Sequence, residues 1–156
     1  MFTIKNFDEL TNTELYAICA QRVAVFVVEQ NCPYQDIDGL DPRCQHMFVM
    51  NNGEIDAYLR VFDRGTVDDH HSPRREGVAS LGRIITGPKA RGKGMGHQLV
   101  AAGIEHVRTT MPHVHTIFIS AQEHLAETYY GKHGFERVSE VYLEDDIPHV
   151  DMELKL

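Results

Sequence analysis

The stretch SLGRIITGPKARGKGMGHQLVAAGIEHV, residues 80–107, decides the fold. An apolar segment opens it, three glycines follow at alternate positions, Gly92, Gly94 and Gly96, and apolar residues then recur at helical intervals. Glycine permits positive φ and carries no Cβ, so successive backbone N–H groups can converge on an anion at a helix N-terminus. The stretch therefore predicts a strand, a phosphate-binding loop and a helix.

Three kinds of phosphate-binding loop are candidates for this stretch. Residues 87–93 match the first seven positions of a Walker A loop, but Gly94 stands where a Ser or Thr hydroxyl would hold magnesium. The dinucleotide pattern G-x-G-x-x-G fails because His97 occupies its last position and no acidic residue follows at a plausible ribose position. What remains is Arg-x-x-Gly-x-Gly, which begins at Arg91.

Composition indicates one domain, residues 1–156, with enough apolar residues for a real core. The formal net charge of −8 disfavours nucleic acid and anionic membranes and suits a cationic partner such as an amine. An acidic surface that merely keeps the protein in solution explains the charge equally well. No apolar leader opens the chain and no run could span a bilayer, so we expect a cytoplasmic protein.

Cysteines and histidines give no sign of a metal site. Cys19, Cys32 and Cys44 lack C-x-x-C spacing, which fits reduced thiols better than a disulfide or zinc framework. His70 and His71 are adjacent and have no further ligands at fixed offsets. We therefore predict no metal.

The element order β, α, β, β, β, α, β, α, β, β is typical of a mixed α/β layer structure. A capping box at residues 11–14 starts the first helix, and Asn-Gly at 52–53 predicts a hairpin turn. Strands are predicted at 2–7, 46–50, 55–62, 78–86, 114–119, 135–142 and 149–154, and helices at 11–29, from the glycines to Pro112, and at 122–133. Loops are predicted at 30–43, 64–77 and 144–148.

A second motif, Tyr130-x-x-x-Gly134-Phe135, follows the next strand about forty residues after the glycines. Together the two motifs resemble those of the GNAT superfamily of acetyl-CoA-dependent N-acetyltransferases. Residues 26–39, FVVEQNCPYQDIDG, and 144–149, EDDIPH, are similar to the ElaA-like branch of that superfamily. The resemblance covers nearly the whole chain and leaves out only the variable segment 63–77.

The resemblance implies a central twisted mixed sheet of about six or seven strands, flanked by helices and splayed at a cofactor wedge. The wedge is expected between the strand 78–86 and the strand that ends at Ile119-Ser120. Acetyl-CoA is the implied co-substrate, its pyrophosphate bound by the loop and its pantetheine arm by the preceding strand. The implied coenzyme residues are Ile84, Ile85, Thr86, Arg91, Gly92, Lys93, Gly94, Met95 and Gly96.

Aminolysis of a thioester needs a base for the amine, donors for the developing oxyanion and an acid for the leaving thiolate. By the resemblance, Tyr130 is the acid and Tyr129 packs; a structural role for Tyr130 is the alternative. The base is open among Glu29, Asp38, His46, Glu123 and His149, of which Glu29 and His149 lie in the ElaA-like segments and rank first. Glu123 also stands where many relatives have Asn, which puts a pantetheine contact there in doubt.

The expected reaction is direct transfer of acetyl to a primary amine, on a small molecule or on a peptide. Six acidic residues, Asp36, Asp38, Asp41, Glu144, Asp145 and Asp146, favour a cationic acceptor. A non-catalytic acyl-CoA sensor on the same fold is the alternative, because fold alone does not fix function. Dimers are common in the superfamily, so a homodimer is a further expectation.

Overall fold

The computed structural model describes residues 1–69 and 72–156, and these form an eight-stranded mixed sheet and two α-helices. The spatial order of the strands is β1-β2-β3-β4-β5-β8-β6, and β7 also pairs with β8. The strands are β1 (Thr3–Asn6), β2 (Gln45–Asn51), β3 (Glu54–Asp63), β4 (Val78–Thr86), β5 (Thr116–Gln122), β6 (Glu136–Arg137), β7 (Tyr142–Glu144) and β8 (Ile147–Lys155). The helices are α1 (Asn12–Arg22) and α2 (Met95–Thr110). The predicted mixed α/β class is confirmed, with one strand more than expected.

Helix α1 begins at the predicted capping box. The Thr11 hydroxyl accepts from the Glu14 amide at 3.1 Å, and the Glu14 carboxylate accepts from the Thr11 amide at 2.9 Å. The α-helix ends earlier than predicted, because Val23–Glu29 continues it as a π-helix. Such π-helical turns are rare in proteins, and many of those that occur lie at functional sites.

The sheet opens between β4 and β5. In the described chain these parallel strands pair at Val78–Thr116, Ala79–Ile117 and Ser80–Phe118, and they diverge beyond that point. On its other side β4 carries a bulge against β3, where Arg83 has φ of +52°. The expected wedge is therefore present, and the bulge keeps part of its β4 wall out of the regular ladder.

One face of the sheet packs against α2 through a large apolar core. Leu99, Val100 and Val107 of α2 are fully buried, as their helical spacing predicted. Gly103 allows close approach, since a Cβ there would lie 3.0 Å from a methyl carbon of Leu59. The opposite face carries α1, the π-helical segment and the loop 30–43.

The C-terminal third differs most from prediction. The helix predicted at 122–133 is wrong: the described residues there form two short 3₁₀ turns, Glu123–Leu125 and Tyr130–His133. The segment is polar and lacks the apolar stripe that would hold a longer helix against the sheet.

The strand predicted at 135–142 divides into β6 and β7, and this division accounts for the additional strand. The predicted acidic loop 144–148 is instead a tight turn that joins β7 to β8. Asp145 and Asp146 both occupy it with positive φ, +50° and +63°. Acidic composition indicated a longer loop, whereas Asp tolerates the left-handed region that such a turn requires.

No helix among the described residues is long and apolar enough to cross a membrane.

Candidate active site

A cleft of about 910 Å³ fills the wedge between β4 and β5. It runs from the glycine loop to the β7–β8 turn, and the π-helical segment forms part of its wall. Eleven predicted site residues line it: Glu29, Ile84, Ile85, Thr86, Arg91, Gly92, Gly94, Met95, Gly96, Tyr130 and His149. Lys93 faces a smaller cavity instead, with its ammonium donating to the Lys89 carbonyl at 2.8 Å.

The glycines of the loop serve two different needs. Gly92 and Gly94 have φ of +74° and +77°, a conformation in which a side chain would be strained, although there is open space for one. Gly96 is needed for space, because a Cβ there would lie 2.6 Å from the Tyr129 hydroxyl and 3.0 Å from the Thr86 hydroxyl. The loop leads directly into the 16-residue helix α2, whose first N–H groups and dipole suit an anion.

Arg91 is held at the edge of the cleft. Its Nε donates to the Thr86 carbonyl at 3.0 Å, and its two terminal nitrogens lie 2.8 and 3.0 Å from the carboxylate oxygens of Glu29. Glu29, which ranked among the candidate bases, is therefore paired with a cation of the predicted pyrophosphate loop.

Tyr130 is a buried residue of the cleft wall, 8% exposed. Its ring meets Tyr129 edge-on at 4.9 Å and Phe135 at 6.2 Å between centroids. Burial, reinforced by the neighbouring Tyr129, raises the pKa of Tyr130. The hydroxyl therefore keeps its proton at neutral pH, as a general acid must.

His149 faces the cleft from β8 with one ring nitrogen already engaged. Nδ1 lies 2.7 Å from the Ile147 carbonyl, and since a carbonyl only accepts, Nδ1 carries the proton of the neutral ring. The lone pair is then on Nε2, which lies 3.4 Å from the Glu144 carboxylate. That carboxylate would stabilise the imidazolium formed when Nε2 takes a proton, so the geometry suits a base.

Beside His149, hydrogen bonds join three polar side chains from three different strands, an arrangement that the sequence did not indicate. Ser120 Oγ lies 2.6 Å from the Tyr142 hydroxyl, which donates to Asp151 Oδ1 at 2.6 Å. Burial and this bond to Asp151 raise the pKa of Tyr142. The chain fixes Ser120 on the cleft wall and holds β7 against β8 under His149.

A buried network ties the loop 30–43 to the sheet. Asp36 accepts from Arg22 Nε at 2.9 Å and from Arg83 Nε at 2.8 Å. Asp41 accepts from Arg22 at 2.7 Å and from Arg60 at 2.9 Å. Each carboxylate is thus shared between two guanidinium groups.

Asp38 completes this network by pairing with Arg60 and Arg83. Burial alone would raise the pKa of Asp38, but the Arg60 hydrogen bonds and charge hold it well below its usual range. The aspartates of the loop are therefore not the open acidic surface that the sequence suggested for a cationic acceptor.

Arg60 and Arg83 both line the cleft, and both were missed in the sequence. Arg60 lies in the otherwise apolar segment YLRVF and Arg83 in LGRII. A charged residue within an apolar strand was the sequence signal that could have identified them. A cation in such a run needs a buried partner.

The remaining base candidates lie away from the cleft or are committed elsewhere. His46 is fully buried, with Nδ1 2.7 Å from the Tyr58 hydroxyl and Nε2 2.9 Å from the Asp41 carbonyl. Desolvation lowers the pKa of His46. Glu123 pairs weakly with Arg137 at 4.0 Å.

Within residues 1–69 and 72–156, no group of three or more His, Cys, Asp or Glu side chains could hold a metal ion. The pair His70 and His71, for which we predicted no metal, lies outside the described residues.

The fold and this cleft can be compared with known proteins. A model of the acetyltransferase (GNAT) domain matches residues 14–156. Protein ElaA of Escherichia coli K12 is 40% identical over 147 residues, which is 93% of this chain and 90% of ElaA. The crystal structure of an acyl-CoA N-acyltransferase from Pseudomonas aeruginosa is 42% identical, with a TM-score of 0.83 and 98% of each chain covered.

The chain belongs to the GNAT acetyltransferase family. Within it the chain is ElaA-like, as residues 26–39 and 144–149 predicted. The crystal structure of E. coli ElaA agrees, with 37% identity, a TM-score of 0.83 and 98% of each chain covered.

Proposed function

We propose that this chain is an N-acetyltransferase that moves the acetyl group of acetyl-CoA to a primary amine by direct attack. The observation that carries the proposal is the cleft itself. One continuous surface joins the glycine loop at the start of α2, the open edge of β4, Tyr130 and His149. These are the groups that coenzyme binding, acid catalysis and base catalysis each require.

The residues of the loop and of β4 fit the coenzyme. Gly92 and Gly94 leave space above a helix N-terminus for a pyrophosphate, and Arg91 adds a cation beside it. Where β4 parts from β5, backbone groups of Ile84, Ile85 and Thr86 border the cleft and can bond an amide-rich arm. One of their N–H groups would also stabilise the oxyanion that forms on the carbonyl.

The proton transfers are assigned to two side chains. His149 Nε2 accepts the proton of the attacking amine, with Glu144 stabilising the charged ring. Tyr130 gives its proton to the departing thiolate, and its raised pKa keeps the hydroxyl protonated and ready to donate. Glu29 is assigned to Arg91 rather than to the amine, because its carboxylate already holds that guanidinium.

The test is an acceptor screen that follows free thiol released from acetyl-CoA. We expect release that depends on the added amine and acetylation of that amine by mass spectrometry. If coenzyme A binds tightly but no amine in a broad panel consumes acetyl-CoA, the proposal fails and a non-catalytic acyl-CoA sensor takes its place.

A further inference from the structure

Three buried side chains beside the cleft carry N–H or O–H groups that bond to no described residue. They are Arg60 Nε, Ser80 Oγ, and Nε and one terminal nitrogen of Arg64. Their residues are 3%, 5% and 1% exposed. A buried donor without a partner is costly, so four of them on three neighbouring side chains are unusual in a folded protein and point to a ligand.

These side chains share one face of the sheet. Residues 60, 62 and 64 alternate along β3 and its continuation, and Ser80 on β4 lies opposite Phe62. The Arg64 guanidinium lies 4.6 Å from the ring centroid of Phe118 on β5, so its side chain crosses β4 to reach it. We call Arg60, Arg64 and Ser80 the donor floor.

The donor floor lies at the closed end of the wedge. Ser80 and Phe118 form the last pair before β4 and β5 diverge, and both line the cleft together with Arg60 and Phe62. The glycine loop stands at the open end, after β4. A molecule that meets the coenzyme inside the cleft therefore has the donor floor on its far side.

The unpartnered atoms can all donate a hydrogen bond. Asp38 and Asp41 bind the terminal nitrogens of Arg60 and leave its Nε. Asp69 acts on Arg64 through its charge, yet Nε and one terminal nitrogen of Arg64 keep no hydrogen-bond partner. Three of the four atoms belong to guanidinium cations, so the ligand that suits them is an acceptor-only anion such as a carboxylate.

We propose that the acetyl-accepting amine carries a carboxylate and that the donor floor binds it. This inference rests on the proposed acetyltransferase function and names its substrate class. Arg60 and Ser80 line the cleft, and Arg64 lies against Phe118, which also lines it. The acceptor is thus an aminocarboxylate rather than an amine whose only charge is positive, which the acidic residues favoured.

The strand sets the spacing of the two groups. Ser80 and Ile84 are four residues apart, which is about 13 Å in a regular strand, and the bulge at Arg83 shortens that distance. The amine must reach the thioester near Ile84 while the carboxylate stays at Ser80. Amine and carboxylate are therefore several bonds apart, as in 6-aminohexanoate, and not adjacent as in glycine.

Matched acceptors test the inference. We expect kcat/KM for 6-aminohexanoate to exceed that for hexylamine, which lacks only the carboxylate, by about tenfold or more. Ser80→Ala should reduce this ratio severalfold, whereas Thr109→Ala on the exposed side of α2 should leave it unchanged. The serine is chosen because arginine variants of the buried floor risk misfolding.

A binding measurement separates this inference from the proposed function. Calorimetry on coenzyme A-loaded protein compares 6-acetamidohexanoate with N-hexylacetamide, and it needs no turnover. Tighter binding of the carboxylate compound without acetylation of any amine would reject the proposed function but keep the site. Equal binding of the two amides, or a preference that is undiminished in Ser80→Ala, overturns the inference.

Discussion

The guanidinium of Arg91 holds the carboxylate of Glu29 through two parallel contacts of 2.8 and 3.0 Å, which join the glycine loop to the π-helical segment across the mouth of the cleft. Both residues line the cleft, and about half of each side chain is exposed. A pyrophosphate that takes Arg91 must compete with this carboxylate. In the proposed function, the ion pair therefore links coenzyme binding to the π-helical wall of the cleft.

Removing this competitor should tighten coenzyme binding. For Glu29→Gln we expect the Kd for coenzyme A to fall about threefold to tenfold at low salt, and less at high salt, because the contact is exposed to screening. Calorimetry at two ionic strengths measures this. Glu105→Gln, which loses a similar exposed partner of Arg108 on α2, is the matched control and should change little. A higher Kd for coenzyme A in Glu29→Gln would mean that Glu29 helps to form the coenzyme site.

The two adjacent tyrosines should behave differently. Tyr130→Phe removes the proposed acid while it keeps the buried ring, so we expect kcat to fall about 10²-fold to 10⁴-fold with little change in coenzyme affinity. Tyr129→Phe should retain most of the activity, because its ring packs on the first turn of α2. Single-turnover acetyl transfer compares them. An equal loss in both variants would argue for packing rather than acid catalysis.

Replacement of His149 should identify the base. His149→Gln keeps a polar side chain but cannot take the amine proton at Nε2, so we expect the rate of acetyl transfer to fall while coenzyme affinity changes little. On the alkaline side the raised pKa of Tyr130 predicts no loss from tyrosine ionisation up to about pH 10. Single-turnover transfer by His149→Gln and an alkaline pH profile of the wild type measure the two effects. If His149→Gln keeps the wild-type rate, another group is the base.

The glycine loop could be predicted from sequence because it depends on local backbone rules, whereas Tyr130 was indicated by the family resemblance. Gly92 and Gly94 adopt the positive φ that their spacing implied, and the Asn-Gly turn at 52–53 has the expected left-handed backbone. The pairing of Asp36 with Arg83 could not be predicted, because the two lie 47 residues apart and meet only after the sheet forms. The donor floor could not be predicted from the sequence for the same reason, since its residues come together only when β3 and β4 pair.

The contact between Gly96 and Tyr129 can be tested by a double substitution. Gly96→Ala puts a methyl group 2.6 Å from the Tyr129 hydroxyl, so the start of α2 must shift and coenzyme A binding should weaken about tenfold or more. Tyr129→Phe removes that oxygen and leaves the ring carbon 3.6 Å from the Cβ, so the double variant should recover part of the affinity, with the 3.0 Å contact to the Thr86 hydroxyl remaining. A purely additive pair would show that the hydroxyl is not the obstacle.

The buried network should appear as acid sensitivity. Burial would raise the pKa of Asp41, but Arg22 and Arg60 lower it, so its contribution to stability is complete above the unfolded-state pKa, about 3.9, and is lost as pH falls through the folded value. Asp41→Asn should lower the free energy of unfolding by about 3–5 kcal/mol at pH 7. The difference from wild type should begin to shrink below about pH 4, where Asp41 of the unfolded chain takes up a proton that the native carboxylate does not yet bind.

Urea unfolding between pH 3 and pH 7 measures this difference. Glu105→Gln, whose ion pair with Arg108 is exposed, serves as the control and should differ from wild type by about 0.5 kcal/mol or less. An Asp41→Asn difference that stays constant from pH 7 to pH 3 would mean that the loss comes from packing of the loop. A difference that disappears with protonation assigns it to the charge shared by Arg22 and Arg60.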